Sequence, residues 1–141
     1  RIVHPLGIRI ALENLGALIK QGRATLTISL ILRIQKTILE KLATPLWCGT
    51  LRKNAVFVND PRIRKAVYWP PDYRDATTLL KDLLLFTLKN EDRIDPLILA
   101  GLFHKQFVII HPFMDGNGRT CRLATKVLLA KMGMVAEDHG F

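Results

Sequence analysis

Between Leu97 and Ile110 apolar residues occupy nearly every side of a helix, and this run most restricts what the chain can become. A helix that is apolar all round needs other helices to cover it, so the run is expected to be the central buried helix of a bundle. Asp95-Pro96, a capping residue followed by a first-turn proline, marks its start. His104, Lys105 and Gln106 interrupt it. Lys81 and Asp82 interrupt the other strongly apolar stretch, Leu79–Leu88, and both stretches are too short or too polar to span a bilayer.

The surrounding pattern is also helical. Ile8–Lys20 carries Ile8, Leu12, Leu15 and Leu18 at helical spacing and stops at Gln21-Gly22. Leu26–Leu42 predicts a second amphipathic helix, opened by Thr25 or Thr27 and closed before Thr44-Pro45. From Trp47 to Pro71 the pattern changes: Ala55–Val58 and Lys65–Trp69 are short β-type runs on either side of Asn59-Asp60-Pro61, which predicts a hairpin. Asp72 or Asp75 can cap a helix running to about Lys89. A last helix is expected from Asn117 to Met132, stopping at Gly133. The fold class is therefore all-α with one small β-hairpin. The 141 residues, 49% of them apolar, suit a single domain over 1–141. Arg1 in place of Met, and Phe141 soon after an apolar helix, suggest a piece of a longer protein.

Several function classes are excluded by what the chain lacks. Cys48 and Cys121 lie far apart, giving no disulfide framework, and the four histidines show no zinc-site spacing such as HExxH. Free thiols suit a reducing compartment, so a cytoplasmic location is expected, or delivery as an injected effector. Nothing reads as a signal peptide, and no membrane partner is expected. The net charge of +9 favours anionic partners. Its basic residues are spread along the chain, however, and no recognition helix or aromatic RNA-binding motif accompanies them. Nucleic acid is therefore not the expected partner.

The segment from His111 to Arg122, HPFMDGNGRTCR, joins the last two helices and is unusual for a connector. Gly116 and Gly118 remove side chains where backbone N–H groups can approach a ligand. The next helix aims its positive dipole end at the same place, an arrangement that binds anions. Arg119 and Arg122, three residues apart, share a helix face and can reach one anion together. Asp115 offers a hard oxygen ligand, as a Mg2+ ion shared with phosphates requires. His111, at the end of the apolar helix, is the side chain whose ordinary pKa suits proton removal near neutrality. Taken singly, a Gly-Asn-Gly turn, a helix-end histidine and two surface arginines are ordinary. Together in one loop they point to phosphoryl or nucleotidyl transfer.

At every defined position this segment matches the H-x-F-x-[D/E]-G-N-G-R-x-x-R signature of Fic domains, and the chain resembles that family from about Leu12 to Met134. Gly49-Thr50-Leu51-Arg52, followed by Val56-Phe57-Val58, is similar to the family's G-x-x-R segment leading into its flap. Tyr68-Trp69-Pro70-Pro71 resembles the end of the flap, and Asp95-Pro96-Leu97-Ile98, with His104 and Gln106-Phe107, the helix before the signature. The resemblance implies a Fic-type helical bundle whose hairpin lies beside the active-site loop, and a protein adenylyltransferase that moves AMP from ATP to a Ser, Thr or Tyr hydroxyl. It implies His111 as base and Asp115 as the Mg2+ ligand. Asn117 with the Gly116–Gly118 backbone would form the anion hole. Arg119 would meet the β- and γ-phosphates and Arg122 the γ-phosphate, with Phe113 fixing the loop from the core. The flap, Val56, Phe57, Val58 with Ala66, Val67 and Tyr68, would pair with an extended segment of a target protein, although a hairpin that only covers the core would read the same. The Arg62–Lys65 cluster near its tip suits an acidic target.

Other outcomes fit the same residues. A Doc-like kinase would transfer the γ-phosphate, but that group often has Lys where Gly118 stands. A UTP or choline-nucleotide donor is compatible with the signature, and a basic binding module without catalysis is the alternative from another class. Many Fic proteins carry an inhibitory [S/T]-x-x-x-E-[G/N] helix. Here Glu13-Asn14 has Arg9 in the Ser/Thr position, and Thr87 with Glu91 is followed by Asp92. Inhibition would then come from outside this stretch, from a separate antitoxin, or not at all.

Overall fold

The computed structural model describes residues 25–40 and 45–134, together with 9–10, 13–14 and 16–18. Of the helix expected over Ile8–Lys20, residues 8, 11, 12, 15, 19 and 20 lie outside the described residues, and those of its positions that are described are helical. Helix α1 (Ile28–Leu39) begins at Thr27, whose Oγ1 accepts the Leu30 N–H at 3.1 Å. Its buried residues Leu30, Ile31, Ile34, Ile38 and Leu39 recur every three or four positions, as an amphipathic helix requires. It ends earlier than the expected Leu42, and residues 41–44 lie outside the description. A single 3-10 turn, Pro45–Trp47, follows.

Strands β1 (Val58–Asp60) and β2 (Lys65–Tyr68) form an antiparallel hairpin pairing Val58 with Tyr68, Asn59 with Ala66 and Asp60 with Lys65. The hairpin is where it was expected, but β1 begins only at Val58, so Val56 and Phe57 precede the ladder. The turn spans 61–64 rather than Asn59-Asp60-Pro61. The cause is local. The Asp60 carboxylate accepts the Arg62 N–H at 2.9 Å and pairs with the Arg62 guanidinium at 2.8 Å, while Arg64 takes a left-handed φ of 54°. Closure therefore follows Asp60 instead of centring on it.

Asp72 caps α2 (Tyr73–Asn90) by accepting the Arg74 N–H at 2.8 Å. Asp95 does the same for α3 (Pro96–Ile110), accepting from Leu97 at 2.9 Å and from Ile98 at 3.4 Å. Helix α4 (Asn117–Lys131) is followed by Gly133 in a left-handed turn with φ 85°. Helix α3 packs on α2 and α4, α4 packs on α1, and α1 touches α2. Phe103 and Phe107 of α3, with Phe113 just beyond it, are fully buried. Each such ring is worth about 1.5–3 kcal/mol of burial.

Helix α3 is central but not enclosed, which corrects the expectation of all-round burial. Leu97, Ile98, Leu102 and Val108 stay exposed. Among the described elements, two partner helices pack on it. None of the described helices is long and apolar enough to cross a membrane.

Candidate active site

Helix α3 ends at His111, whose backbone turns left-handed with φ 50° and ψ 61°. A non-glycine residue in that region is strained by about 1–3 kcal/mol unless its surroundings hold it there. Arg52 does so. Its Nε donates to the His111 carbonyl at 2.7 Å, its Nη2 to Ile110 O at 3.3 Å and to Pro71 O, and its backbone N–H to Pro112 O at 2.9 Å. One further carbonyl of this helix end, that of Ile109, accepts the Tyr68 hydroxyl at 2.6 Å. A helix C-terminus presents unpaired carbonyls and partial negative charge, and here a buried guanidinium answers both.

Beyond His111 the loop is closed from within. The Asn117 amide accepts the Phe113 N–H at 2.9 Å through Oδ1 and donates to Phe113 O at 2.8 Å through Nδ2. The side chain expected to face an anion therefore points inward and ties Phe113, itself buried, to the start of α4. Asn117→Ala strands a buried N–H and a buried carbonyl, which should cost about 1–3 kcal/mol and be visible as a lowered midpoint in thermal denaturation.

The glycines prove to differ. Gly116 has φ 78°, and a Cβ there would sit 3.1–3.3 Å from three atoms of the buried Leu39 side chain. Its missing side chain makes room for Leu39 of α1, and the residue also lines the cleft described below. Gly118 is exposed, and a Cβ on it would come within 3.2 Å of Arg122 Nη1, so the arginine lies back across the first turn of α4.

His111, Asp115, Gly116, Asn117, Gly118, Arg119 and Arg122 all line one cleft of about 280 Å3, joined by Met114, which no sequence signal singled out. The first intrahelical bond of α4 runs from Thr120 N–H to Gly116 O at 2.9 Å, so the N–H groups of the preceding turn are outside the helical ladder. The Gly116 N–H is already engaged, by Asp115 Oδ1 at 2.8 Å. Arg119 Nη2 stands 3.7 Å from the same carboxylate oxygen, while its Nη1 is buried without a hydrogen-bond partner. An unsatisfied buried cationic donor is costly, and an anion in the cleft would relieve it.

Asp115 is the one carboxylate lining this cleft, and no group of three or more His, Cys, Asp or Glu gathers elsewhere among the described residues. That composition fits Mg2+, which keeps several waters and is bound through one or two carboxylates plus phosphate oxygens. His111 is half-buried, and burial first, then the Arg52 charge, lowers its pKa below the ordinary imidazole value. It is therefore neutral at pH 7 and able to accept a proton. Neither cysteine is in a disulfide. Burial pushes the Cys121 thiol up to about 11, and its sulfur lies 3.4 Å from His104 Nδ1.

Gln35, which the sequence reading passed over, is wholly buried in α1. It donates to Trp47 O at 2.9 Å and to Asp115 O at 3.4 Å, and accepts the Gly49 N–H at 2.6 Å. A polar residue in the buried stripe of an amphipathic helix was the signal for it.

On the hairpin, burial alternates. Phe57 and Val67 are exposed, whereas Val56, Val58, Ala66 and Tyr68 are partly covered, and Tyr68 is spent anchoring the hairpin to α3. Trp69, beyond the expected set, is 68% exposed, with its ring 5.2 Å from that of Phe57.

This geometry has known parallels. The family model described as Fic/DOC family matches residues 25–129. The chain is 35% identical over 128 residues to the protein adenylyltransferase Fic of Nematostella vectensis, covering 91% of this chain and 28% of that one. To the protein of the same name from Drosophila melanogaster it is 31% identical over 129 residues, covering 91% and 24%. It thus spans about a quarter of the length of these curated relatives. Among solved structures, a Fic domain containing signaling protein from Bacteroides thetaiotaomicron shares the fold with a TM-score of 0.77 at 24% identity, over 90% of this chain and 47% of that one. Fic-1 from C. elegans aligns with a TM-score of 0.70 at 28% identity, over 91% and 36%. Family model, relatives and fold agree, and the chain belongs to the Fic/DOC family.

Proposed function

We propose that this domain transfers AMP from ATP to a Ser, Thr or Tyr hydroxyl of a protein. The observation that carries the proposal is the shared cleft: a neutral His111 lines the same opening as a helix start and an arginine with an unpartnered buried nitrogen. Relatives over 91% of this chain bear the name protein adenylyltransferase. In this mechanism the target hydroxyl attacks the α-phosphorus and gives its proton to His111. The bond from the α-phosphorus to the oxygen bridging it to the β-phosphate breaks, and pyrophosphate leaves. Arg119, Arg122 and the first-turn N–H groups of α4 hold the polyphosphate, so that charge developing on the leaving group meets donors already in place. Asp115 would hold a Mg2+ ion, whose contribution is neutralisation of phosphate charge. Little covalent chemistry falls to the protein, and positioning supplies most of the acceleration.

The hairpin offers the exposed pair Phe57–Trp69 and Val67 to an extended target segment, which can add as a strand. Incubating the chain and candidate targets with ATP labelled at either the α- or the γ-phosphate tests the reaction. Label retained from the α position alone is the expected result. Retention from the γ position alone would make the domain a kinase, and retention from neither would leave a binding role.

A further inference from the structure

We infer that Arg52 is a positioning residue of this domain, one guanidinium that ties both ends of the hairpin to the backbone of His111. Four observations converge on it. Nε holds the His111 carbonyl at 2.7 Å, where the backbone is left-handed. Nη2 reaches the neighbouring Ile110 carbonyl at 3.3 Å and also donates to Pro71 O, where the chain leaves the hairpin. Nη1 reaches Asn54 O at 3.4 Å, where the chain approaches the hairpin. The residue is only 3% exposed, so the fork is fixed in a dry setting, and hydrogen bonds from a charged donor are strong there.

The consequence is geometric. A segment docked on the hairpin is placed by the backbone at 54 and 71, while the imidazole is placed by the backbone at 110 and 111. A planar fork is the only contact that reaches all four carbonyls at once, and a lysine, with a single ammonium nitrogen, cannot. Tyr68 contributes a second strap from β2 to Ile109 O at 2.6 Å, independent of the guanidinium. The separation between docked hydroxyl and base is therefore set by Arg52, although neither substrate touches it. This rests on the proposed reaction only for its kinetic readout.

The variant that tests it is Arg52→Lys, with Tyr68→Phe as a second cut in the same junction. Hydrogen exchange on the nucleotide-free chain supplies the readout that needs no activity. In Arg52→Lys, amides at 54–71 and at 109–118 should lose protection together, while those of α1 and α2 keep theirs. Tyr68→Phe should loosen the hairpin and leave 111–118 protected. In steady-state kinetics with the modified target, Arg52→Lys should lower kcat by about a hundredfold, the size of loss that a misplacement near 1 Å produces, with nucleotide affinity unchanged. Uniformly faster exchange with weakened ATP binding would mean that Arg52 merely holds the fold, and would overturn the inference. So would parental kcat in Arg52→Lys. A parent that transfers nothing would sink the proposed reaction instead, and the exchange pattern would still decide the role of Arg52.

Discussion

His111→Ala is expected to abolish transfer of the α-phosphate label while ATP still binds. Removing a general base lowers rates by about 10²–10⁴-fold, and the nucleotide contacts proposed here belong to Arg119, Arg122 and the start of α4, which the substitution leaves alone. Binding followed by fluorescence or calorimetry should match the parent. A variant that labels targets as fast as the parent would show that the proton goes elsewhere. The pH dependence is a second face of the same claim. Because burial and then Arg52 lower the His111 pKa, the imidazole stays neutral, and competent as a base, to a lower pH than an ordinary histidine. The acid limb of the kcat/KM profile, which reports the free enzyme, should therefore fall below the ordinary imidazole value of about 6.5. The sign for stability follows. The folded state binds this proton less readily than the unfolded state. As pH falls from the ordinary imidazole value toward the lowered folded one, this group therefore makes the fold progressively less stable.

Gly116→Ala should be the most damaging single methyl addition in the loop. The residue has φ 78°, where a side chain is strained by about 1–3 kcal/mol. The new Cβ would also meet Leu39 Cδ1 at 3.1 Å and Cγ at 3.2 Å, and crowding a packed core costs a further 1–3 kcal/mol or so. Leu39 is wholly buried between α1 and α4, so it has little room to yield. A total of about 2–6 kcal/mol is a large part of the 5–15 kcal/mol or so that holds a typical domain together. The thermal midpoint and ATP binding should both fall, because the displaced residue opens the helix proposed to receive the phosphates. Leu39→Ala, which by itself costs about 2–5 kcal/mol, removes the crowding partner, so adding Gly116→Ala to that variant should cost only the backbone part. No further loss on adding Gly116→Ala there would show that the left-handed backbone was never costly.

Much of this was legible in one dimension. The caps at Thr27, Asp72 and Asp95, the proline at the start of α3 and the glycine after α4 act within one helical turn. The amphipathic stripe of α1 and the membership of the candidate loop were equally local, since a dozen neighbouring residues carry the signature and most of them line one cleft. Such features depend on contacts a few residues apart, which periodicity and residue type report directly.

The rest required distant segments to meet. The sequence marks Gly116 as a glycine whose backbone a ligand can approach, and only the packing of α1 on α4 reveals that Leu39 also occupies the space of its missing side chain. Asn117 reads in sequence as an anion donor, and only the folded loop reveals that its amide also bonds Phe113 on both sides. Arg52 and His111 stand 59 residues apart, and Gln35 and Asp115 stand 80 apart, so no local pattern could announce either clamp. The exposure of Leu97, Ile98, Leu102 and Val108 on α3 has the same origin: apolar periodicity states which residues prefer cover, whereas the packing of neighbouring segments decides which receive it.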